Sequence, residues 1–213
     1  MKYLIIVMTL ALAPFMVLAQ EKLPLRCPDG NHPHAIDLGL PSGTKWACCN
    51  VGSSSPEFSG NYYAWGETET KEVFLCDNYE YKNPENVFGF QFLGKNISAT
   101  QFDVAAVKWG APWRIPTYEE CKELVDSCRT YIIRDSHDDC ILLIGPNGNG
   151  IYMPLTGFRE SENLHEKNSK GYYWTSIPDE SDSMLANFMN IDIFPSVYLG
   201  CRNCGYSVRP VRK

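Results

Sequence analysis

Two groups of side chains in this sequence could do metal or redox chemistry. Cys201 and Cys204 enclose two residues, a spacing that suits a local disulfide, a redox pair or half of a zinc site. No second pair of this kind occurs, so the sequence does not predict a four-ligand zinc site at these cysteines. Cys27, His32 and His34 are also ligand types, but the segment offers no clear fourth ligand. We therefore predict no metal and no cofactor, and we interpret this N-terminal segment as a flexible tail.

The rest of the chain lacks a recognisable catalytic set. No serine–histidine–aspartate order, HExxH zinc motif, phosphate-binding loop or isolated carboxylate pair stands out. The 213 residues carry a formal net charge of −6 and 44% hydrophobic residues, a globular composition. The acidic balance argues against nucleic acid or an anionic membrane as partner. We predict a protein that is not an enzyme and does not bind nucleic acid.

The stretch 190–199 carries the clearest binding signal. Alternate residues of a strand point to opposite sides of the sheet. The apolar set, expected to face the core, is Ile191, Ile193, Pro195, Val197 and Leu199. The set expected to be exposed is Asn190, Asp192, Phe194, Ser196 and Tyr198. Because proline cannot donate a ladder hydrogen bond, we expect an edge strand or a looser extended segment. Two interpretations stay open: a contact surface, or an ordinary half-buried strand with exposed aromatics.

Residues 1–19 have the pattern of a secretory signal peptide. Lys2 precedes an apolar run, and small residues precede the expected cleavage after Ala19. The run is short for a membrane span, which needs about 20 apolar residues. We predict export to the periplasm, the cell surface or the medium, with no stable membrane span after cleavage.

The cysteines and local patterns predict how the exported chain folds. Export permits disulfides, and nine cysteines leave at least one outside any intrachain pairing. Thr117 with Glu120 is a capping box that predicts a helix to about Cys128. Cys121, Leu124, Val125 and Cys128 should form its buried face. Hairpins are predicted at 34–52 and 140–155, a long ordered loop region at 53–96, a helix at 98–108, a charged loop at 159–170, and strands at 171–176 and 205–211.

Five phrases in order resemble a known family. They are Asp37–Trp46, Tyr62–Glu67, Trp113–Thr117, Tyr172–Ser176 and Gly205–Val211. Together they resemble the Fibrobacter succinogenes major paralogous domain family of secreted bacterial proteins, from about residue 35 to the end. The resemblance implies an α+β, C-type-lectin-like fold, with short helices around a small antiparallel sheet, long ordered loops, and paired N- and C-terminal strands. The expected organisation is a signal peptide (1–19), a flexible tail (20–34) and one domain (35–213).

The resemblance also implies a function. The fold is related to the formylglycine-generating enzyme and to the variable proteins of diversity-generating retroelements. In those variable proteins, the segment before the closing phrase displays diversified ligand-binding residues. We therefore expect a secreted or surface-exposed ligand-binding or adhesion module that contacts a protein or glycan. The expected ligand-binding residues are Asn190, Asp192, Phe194, Ser196, Tyr198, Arg202 and Asn203.

Two alternative functions stay open, and the resemblance also implies one cysteine pairing. A formylglycine-generating enzyme holds copper with two cysteines, and only Cys201 and Cys204 form a close pair with a gap. In those enzymes the two cysteines are more widely spaced and lie further from the closing strand. The match of Cys201 and Cys204 therefore fails in both spacing and position. A structural subunit of a surface assembly is the other alternative. The resembled fold places Cys49 near Cys128, a pair that could form a disulfide.

Overall fold

The computed structural model describes residues 32–86, 89–134 and 138–213. Within them the chain combines small antiparallel sheets with two short α-helices, which confirms the predicted α+β class. The strands are β1 (Ala35–Asp37), β2 (Lys45–Ala47), β3 (Arg129–Ile133), β4 (Cys140–Ile144), β5 (Gly150–Pro154), β6 (Phe158–Glu160), β7 (Asn163–His165), β8 (Gly171–Pro178), β9 (Leu185–Ile191), β10 (Ser196–Cys201) and β11 (Val211–Arg212). The helices are α1 (Val104–Trp109) and α2 (Tyr118–Ser127). The predicted signal peptide and most of the predicted tail lie outside the described residues.

The first hairpin and the last strand share one sheet. The β1–β2 turn closes where the Gly43 N–H donates to the Leu40 carbonyl oxygen at 2.9 Å. Gly43 has a φ of 71°, a conformation that glycine adopts without steric cost. The sheet order is β1–β2–β11, so the closing strand pairs with β2 rather than with β1. Both ends of the domain are thereby held in the same sheet.

A second sheet, with strand order β3–β4–β5, supplies much of the main core. Strands β4 and β5 are buried at every position, which explains the uninterrupted apolar run of β4. The predicted hairpin between them is confirmed, with Gly148 at positive φ in its turn. Strand β3 and the β6–β7 hairpin fall where the sequence analysis predicted no strand, and the predicted charged loop at 159–170 is therefore partly wrong.

The third sheet corrects the interpretation of residues 190–199. They do not form one extended strand, because β9 ends at Ile191 and β10 begins at Ser196. The two strands pair as an antiparallel hairpin in a sheet with order β10–β9–β8. Asp192 and Pro195 lie in the turn between them, and both types favour turns for specific backbone reasons. The period-two assignment of faces consequently fails beyond Ile191.

The two helices begin at different kinds of cap. At α2 the predicted capping box is present: Thr117 accepts from the Glu120 N–H, and the Glu120 carboxylate accepts from the Thr117 N–H. At α1 the predicted start at Ser98 is wrong. Asp103 is the N-cap, and its Oδ1 accepts from the N–H groups of Ala105 and Ala106 at 2.9 and 3.1 Å. The chain from 98 to 103 is instead turn-like.

Arg209, from the closing phrase, joins the first and second sheets inside the core. Its side chain is fully buried, and its N–H groups donate to the Asn50 side chain and to three backbone carbonyls. Those carbonyls belong to Ala47, Cys48 and Tyr152, at 2.9 to 3.0 Å. A guanidinium suits this position because its five donors form a rigid fork. The arrangement fixes the end of β2 relative to β5.

Candidate functional site

The tip of the β9–β10 hairpin is built by a single carboxylate. Asp192 Oδ1 accepts a hydrogen bond from the Phe194 N–H at 2.7 Å, and Oδ2 accepts one from the Asn190 side-chain amide at 2.8 Å. Such aspartate bonds to a backbone two residues on are a standard way to stabilise a turn. Asn190 pairs with Ser196 across the hairpin at the base of this turn. Both polar groups therefore shape the tip.

This geometry projects large apolar side chains into solvent. Phe194 is 80% exposed, Ile193 53%, Tyr198 53% and Leu199 46%. The predicted exposure of Phe194 and Tyr198 is confirmed. The predicted burial of Ile193 and the inward position of Leu199 are wrong, because the turn reverses the chain between the two strands. Ile191, which precedes the turn, is fully buried as predicted.

The other predicted face residues are less accessible. Asn190 was expected to be exposed but is buried, while Asp192 and Ser196 are of intermediate exposure. Val197, which was expected to be buried, is also of intermediate exposure. Arg202 and Asn203, which follow β10, are also buried. The structure thus brings Asp192, Phe194 and Tyr198 to one hairpin. It places Arg202 and Asn203 in the interior just beyond the end of β10 that lies away from the turn.

Arg202 lies in a cage of aromatic rings. Its guanidinium is 4.5 Å from the ring centre of Trp65, 5.5 Å from that of Tyr79 and 5.7 Å from that of Phe90. It donates to the Tyr79 hydroxyl and to the carbonyls of Gln91 and Ser183. Burial lowers the pKa of Arg202 from its ordinary value. These contacts attach the long loop region to the β10 end, so the first role of this side chain is structural.

A row of aromatic rings crosses the sheet from the hairpin. Tyr198 lies opposite Phe188 in register, with ring centres 6.1 Å apart. Phe188 stacks on Tyr172 at 5.1 Å with planes 18° apart, and Tyr172 contacts Phe158 at 4.8 Å. Phe158 stacks in turn on His165 at 5.1 Å. The sequence analysis missed this row, because its members come from five strands in two sheets, and the sequence does not reveal how those strands pair.

The two cysteines around Arg202 interact. The Cys204 N–H donates to the Cys201 carbonyl at 3.0 Å, which closes a tight turn. A hydrogen bond from the Cys204 thiol lowers the pKa of Cys201 to about 7, against the opposing effect of burial. The same contact, followed by burial, raises the pKa of Cys204 well above its ordinary value. Cys201 is exposed and Cys204 is buried, so the pair has one reactive thiol and one protected thiol.

The sequence-predicted disulfide is not formed. No disulfide lies at bonding distance among the described cysteines, and this includes Cys49 and Cys128. Burial raises the pKa of Cys128 to about 11, so its thiol stays protonated at neutral pH. Cys121 lies on α2, the helix that ends just before Cys128. It is fully buried and behaves as a small apolar residue.

A third group of side chains lies at the start of the described chain. His32 and His34 belong to the predicted flexible tail, yet both lie against Cys48. A hydrogen bond with the Cys49 side chain, together with contacts from His34 and His32, lowers the pKa of the Cys48 thiol to about 4 despite burial. Cys27, the third residue considered in the sequence, lies outside the described residues. Sequence reasoning did not connect Cys48 with the two histidines.

Comparisons with protein-family models, with curated proteins and with solved structures find no match. Among the residues that the structure describes, no helix has the length and apolar character needed to cross a bilayer.

Proposed function

We propose that this protein is an exported, non-enzymatic binding module that contacts a protein or glycan ligand through its β9–β10 hairpin. The single observation that carries the proposal is the exposure of four large apolar side chains within seven residues of one hairpin. These are Ile193, Phe194, Tyr198 and Leu199. Isolated apolar residues are normal on a surface, whereas clustered ones mark interaction sites.

Phe194 and Tyr198 have the properties of binding hot spots. Aromatic side chains bring a large contact area and lose little conformational entropy, since they have only two side-chain torsions. The turn contacts of Asp192 fix the backbone beside Phe194, and the Tyr198 ring packs against Phe188, its cross-strand neighbour. A surface ordered before binding avoids part of the entropic cost of association.

The resemblance to the major paralogous domain family supports the same proposal. In that interpretation the domain has a C-type-lectin-like fold, and its C-terminal segment is the display surface. A diversified receptor is a specific form of the proposal, and the neighbouring DNA tests it. Two features of that DNA would support diversification. One is a reverse-transcriptase gene, and the other is a template repeat that matches codons 190–201 except at positions where the template has adenine.

A matched set of alanine variants tests the binding surface. The purified protein is applied to glycan and extracellular-protein arrays alongside Phe194→Ala, Tyr198→Ala and the double variant. Phe92→Ala is the control, because Phe92 is 76% exposed but lies outside the hairpin. We expect a ligand that binds the wild type and the control and is lost in the double variant. Binding that is equal in all four proteins would contradict the proposed surface.

One observation favours a second candidate function. Cys201 and Cys204 are hydrogen-bonded to each other, and a copper-dependent oxidase that forms formylglycine would need two neighbouring cysteines to hold the copper ion. We nevertheless propose that the pair does not catalyse formylglycine formation, because its spacing differs from that of the resembled enzymes. Copper-loaded protein should leave a cysteine-containing peptide unchanged by mass spectrometry. Conversion to an aldehyde that Cys201→Ser abolishes would overturn the non-enzymatic proposal.

A further inference from the structure

His32, His34 and Cys48 meet across the edge of the first sheet. The β1–β2 pairing continues one step beyond Ala35 and Ala47, where the Cys48 N–H donates to the His34 carbonyl at 2.9 Å. In return, the His34 N–H donates to the Cys48 sulfur at 3.1 Å. His34 and Cys48 are thus directly opposite on two paired chains. Their relative position is set by the backbone ladder.

The ligand atoms of these three residues converge. The Cys48 sulfur lies 3.2 Å from His32 Nδ1 and 3.8 Å from His34 Nδ1. All three atoms lie within 4.8 Å of one another. A tetrahedral zinc ion, with Zn–S of about 2.3 Å and Zn–N of about 2.0 Å, holds its sulfur and nitrogen ligands about 3.5 Å apart. The two observed distances bracket that value.

We propose that His32, His34 and Cys48 form a binding site for one zinc ion. Thiolate and imidazole are the ligands that zinc prefers, and the group contains no carboxylate that would favour calcium or magnesium. Three protein ligands leave the fourth tetrahedral position for water or another ligand. The proposal departs from the sequence-based expectation of no metal, which considered the two histidines without Cys48. It is independent of the proposed binding surface.

The bound ion would join the segment before β1 to the segment after β2. His32 lies three residues before Ala35, the first residue of β1, so pairing of β1 with β2 does not by itself hold its side chain. Ligation by His32 would extend the ordered chain beyond the hairpin. Zinc should therefore raise the melting temperature of the wild-type protein, because a ligand that binds only the folded state stabilises it.

The test is zinc titration of the metal-free, full protein under a reducing agent that does not bind metal. Isothermal calorimetry gives the stoichiometry, and Co²⁺ substitution reports the coordinating sulfur through its thiolate charge-transfer absorption. We expect one ion per chain. Cys48→Ser and His32→Ala should each lower the zinc affinity more than about 100-fold. Both variants lose a direct ligand, and losing only a residue that hydrogen-bonds to a ligand already lowers metal affinity about 10- to 100-fold.

Two controls separate a specific site from general metal affinity. Cys76→Ser removes an exposed thiol, and His165→Ala removes an imidazole that stacks on Phe158. Both should bind zinc like the wild type. His32 is half-buried and precedes the first strand, so His32→Ala keeps the test decisive if Cys48→Ser fails to fold. Absence of one-to-one binding, or unchanged affinity in folded His32→Ala, would overturn the proposal.

Discussion

Ile191 and Ile193 are two residues apart, and the structure predicts opposite consequences when they are changed. A strand interpretation would place both on the buried face. In the structure Ile191 ends β9 inside the main core, whereas Ile193 lies in the turn and is half exposed. Replacing each by alanine therefore tests where the strand ends.

The expected magnitudes follow from burial. Ile191→Ala removes a fully buried side chain and leaves a cavity, a change that typically costs about 2–5 kcal/mol in the free energy of unfolding. Ile193→Ala should cost no more than about 0.5 kcal/mol, as surface substitutions usually do. For a chain of this size, 1 kcal/mol corresponds to about 2–4 °C in melting temperature. A loss of about 3 kcal/mol at Ile191 would lower Tm by roughly 6–12 °C.

Urea denaturation followed by tryptophan fluorescence measures both variants against the wild type. The free energy of unfolding should fall with urea concentration at the same slope in all proteins, so that a shift in the midpoint reports a change in stability. Aspartate at the same positions sharpens the contrast, since an unpaired buried charge costs several kcal/mol. Equal destabilisation by Ile191→Ala and Ile193→Ala would refute the hairpin and restore a single strand over 190–199.

Three further predictions concern pH, thiol chemistry and export. Hydrogen bonds from Arg114 and Thr117 outweigh burial and lower the pKa of Glu120 below its ordinary 4.5. The ionised Glu120 carboxylate therefore stabilises the folded state above pH 4.5, and this stabilisation is lost as the pH falls through the lowered pKa. Glu120→Gln removes charge-assisted hydrogen bonds, so it should lower the free energy of unfolding by about 2 kcal/mol at pH 7 and by less in acid. Iodoacetamide should alkylate Cys201 with a midpoint near pH 7, and Cys204→Ser should move that midpoint upward; an unchanged midpoint would disprove the thiol contact. N-terminal sequencing of the exported protein should begin Gln-Glu-Lys, and an intact Met1 would contradict the predicted cleavage.

Local sequence signals predicted the parts of the fold that depend on local physics. The Thr117–Glu120 capping box is correct because its two hydrogen bonds involve residues three apart. The 140–155 hairpin is correct because its continuous apolar strands flank a glycine- and asparagine-rich turn. Strand pairing across the chain depends on distant contacts, and the only prediction of it came from the family resemblance. That resemblance implied pairing of the first and last strands, whereas β11 pairs with β2, the second strand.

The errors have identifiable physical causes. Alternation suggested one strand at 190–199, but Asp192 forms a side-chain-stabilised turn, and the pairing of β9 with β10 outweighs the pattern. Ser98 resembled a cap, yet Asp103 satisfies four backbone N–H groups and starts the helix. In the first case Pro195 was taken as a sign of an edge strand, whereas Asp192 and Pro195 together are typical of a turn.

The candidate sites were partly visible in the sequence. Phe194 and Tyr198 were identified because exposed aromatics are conspicuous among small polar residues. Arg202 was assigned to the surface, and no local pattern showed that a ring cage from the long loop region buries it. The His32–Cys48 contact joins residues 16 apart in sequence, so it emerges only once the register of the first hairpin is known.

The most direct test of the proposed binding surface is the affinity of Phe194→Ala and Tyr198→Ala for the ligand selected on the arrays, measured by biolayer interferometry. The account predicts that each loses about 2 kcal/mol of binding free energy, roughly 30-fold in Kd, as hot-spot residues do. Both side chains are mostly exposed, so Tm should stay within about 2 °C of the wild type. Unchanged Kd in both folded variants would contradict the claim that this hairpin binds the ligand.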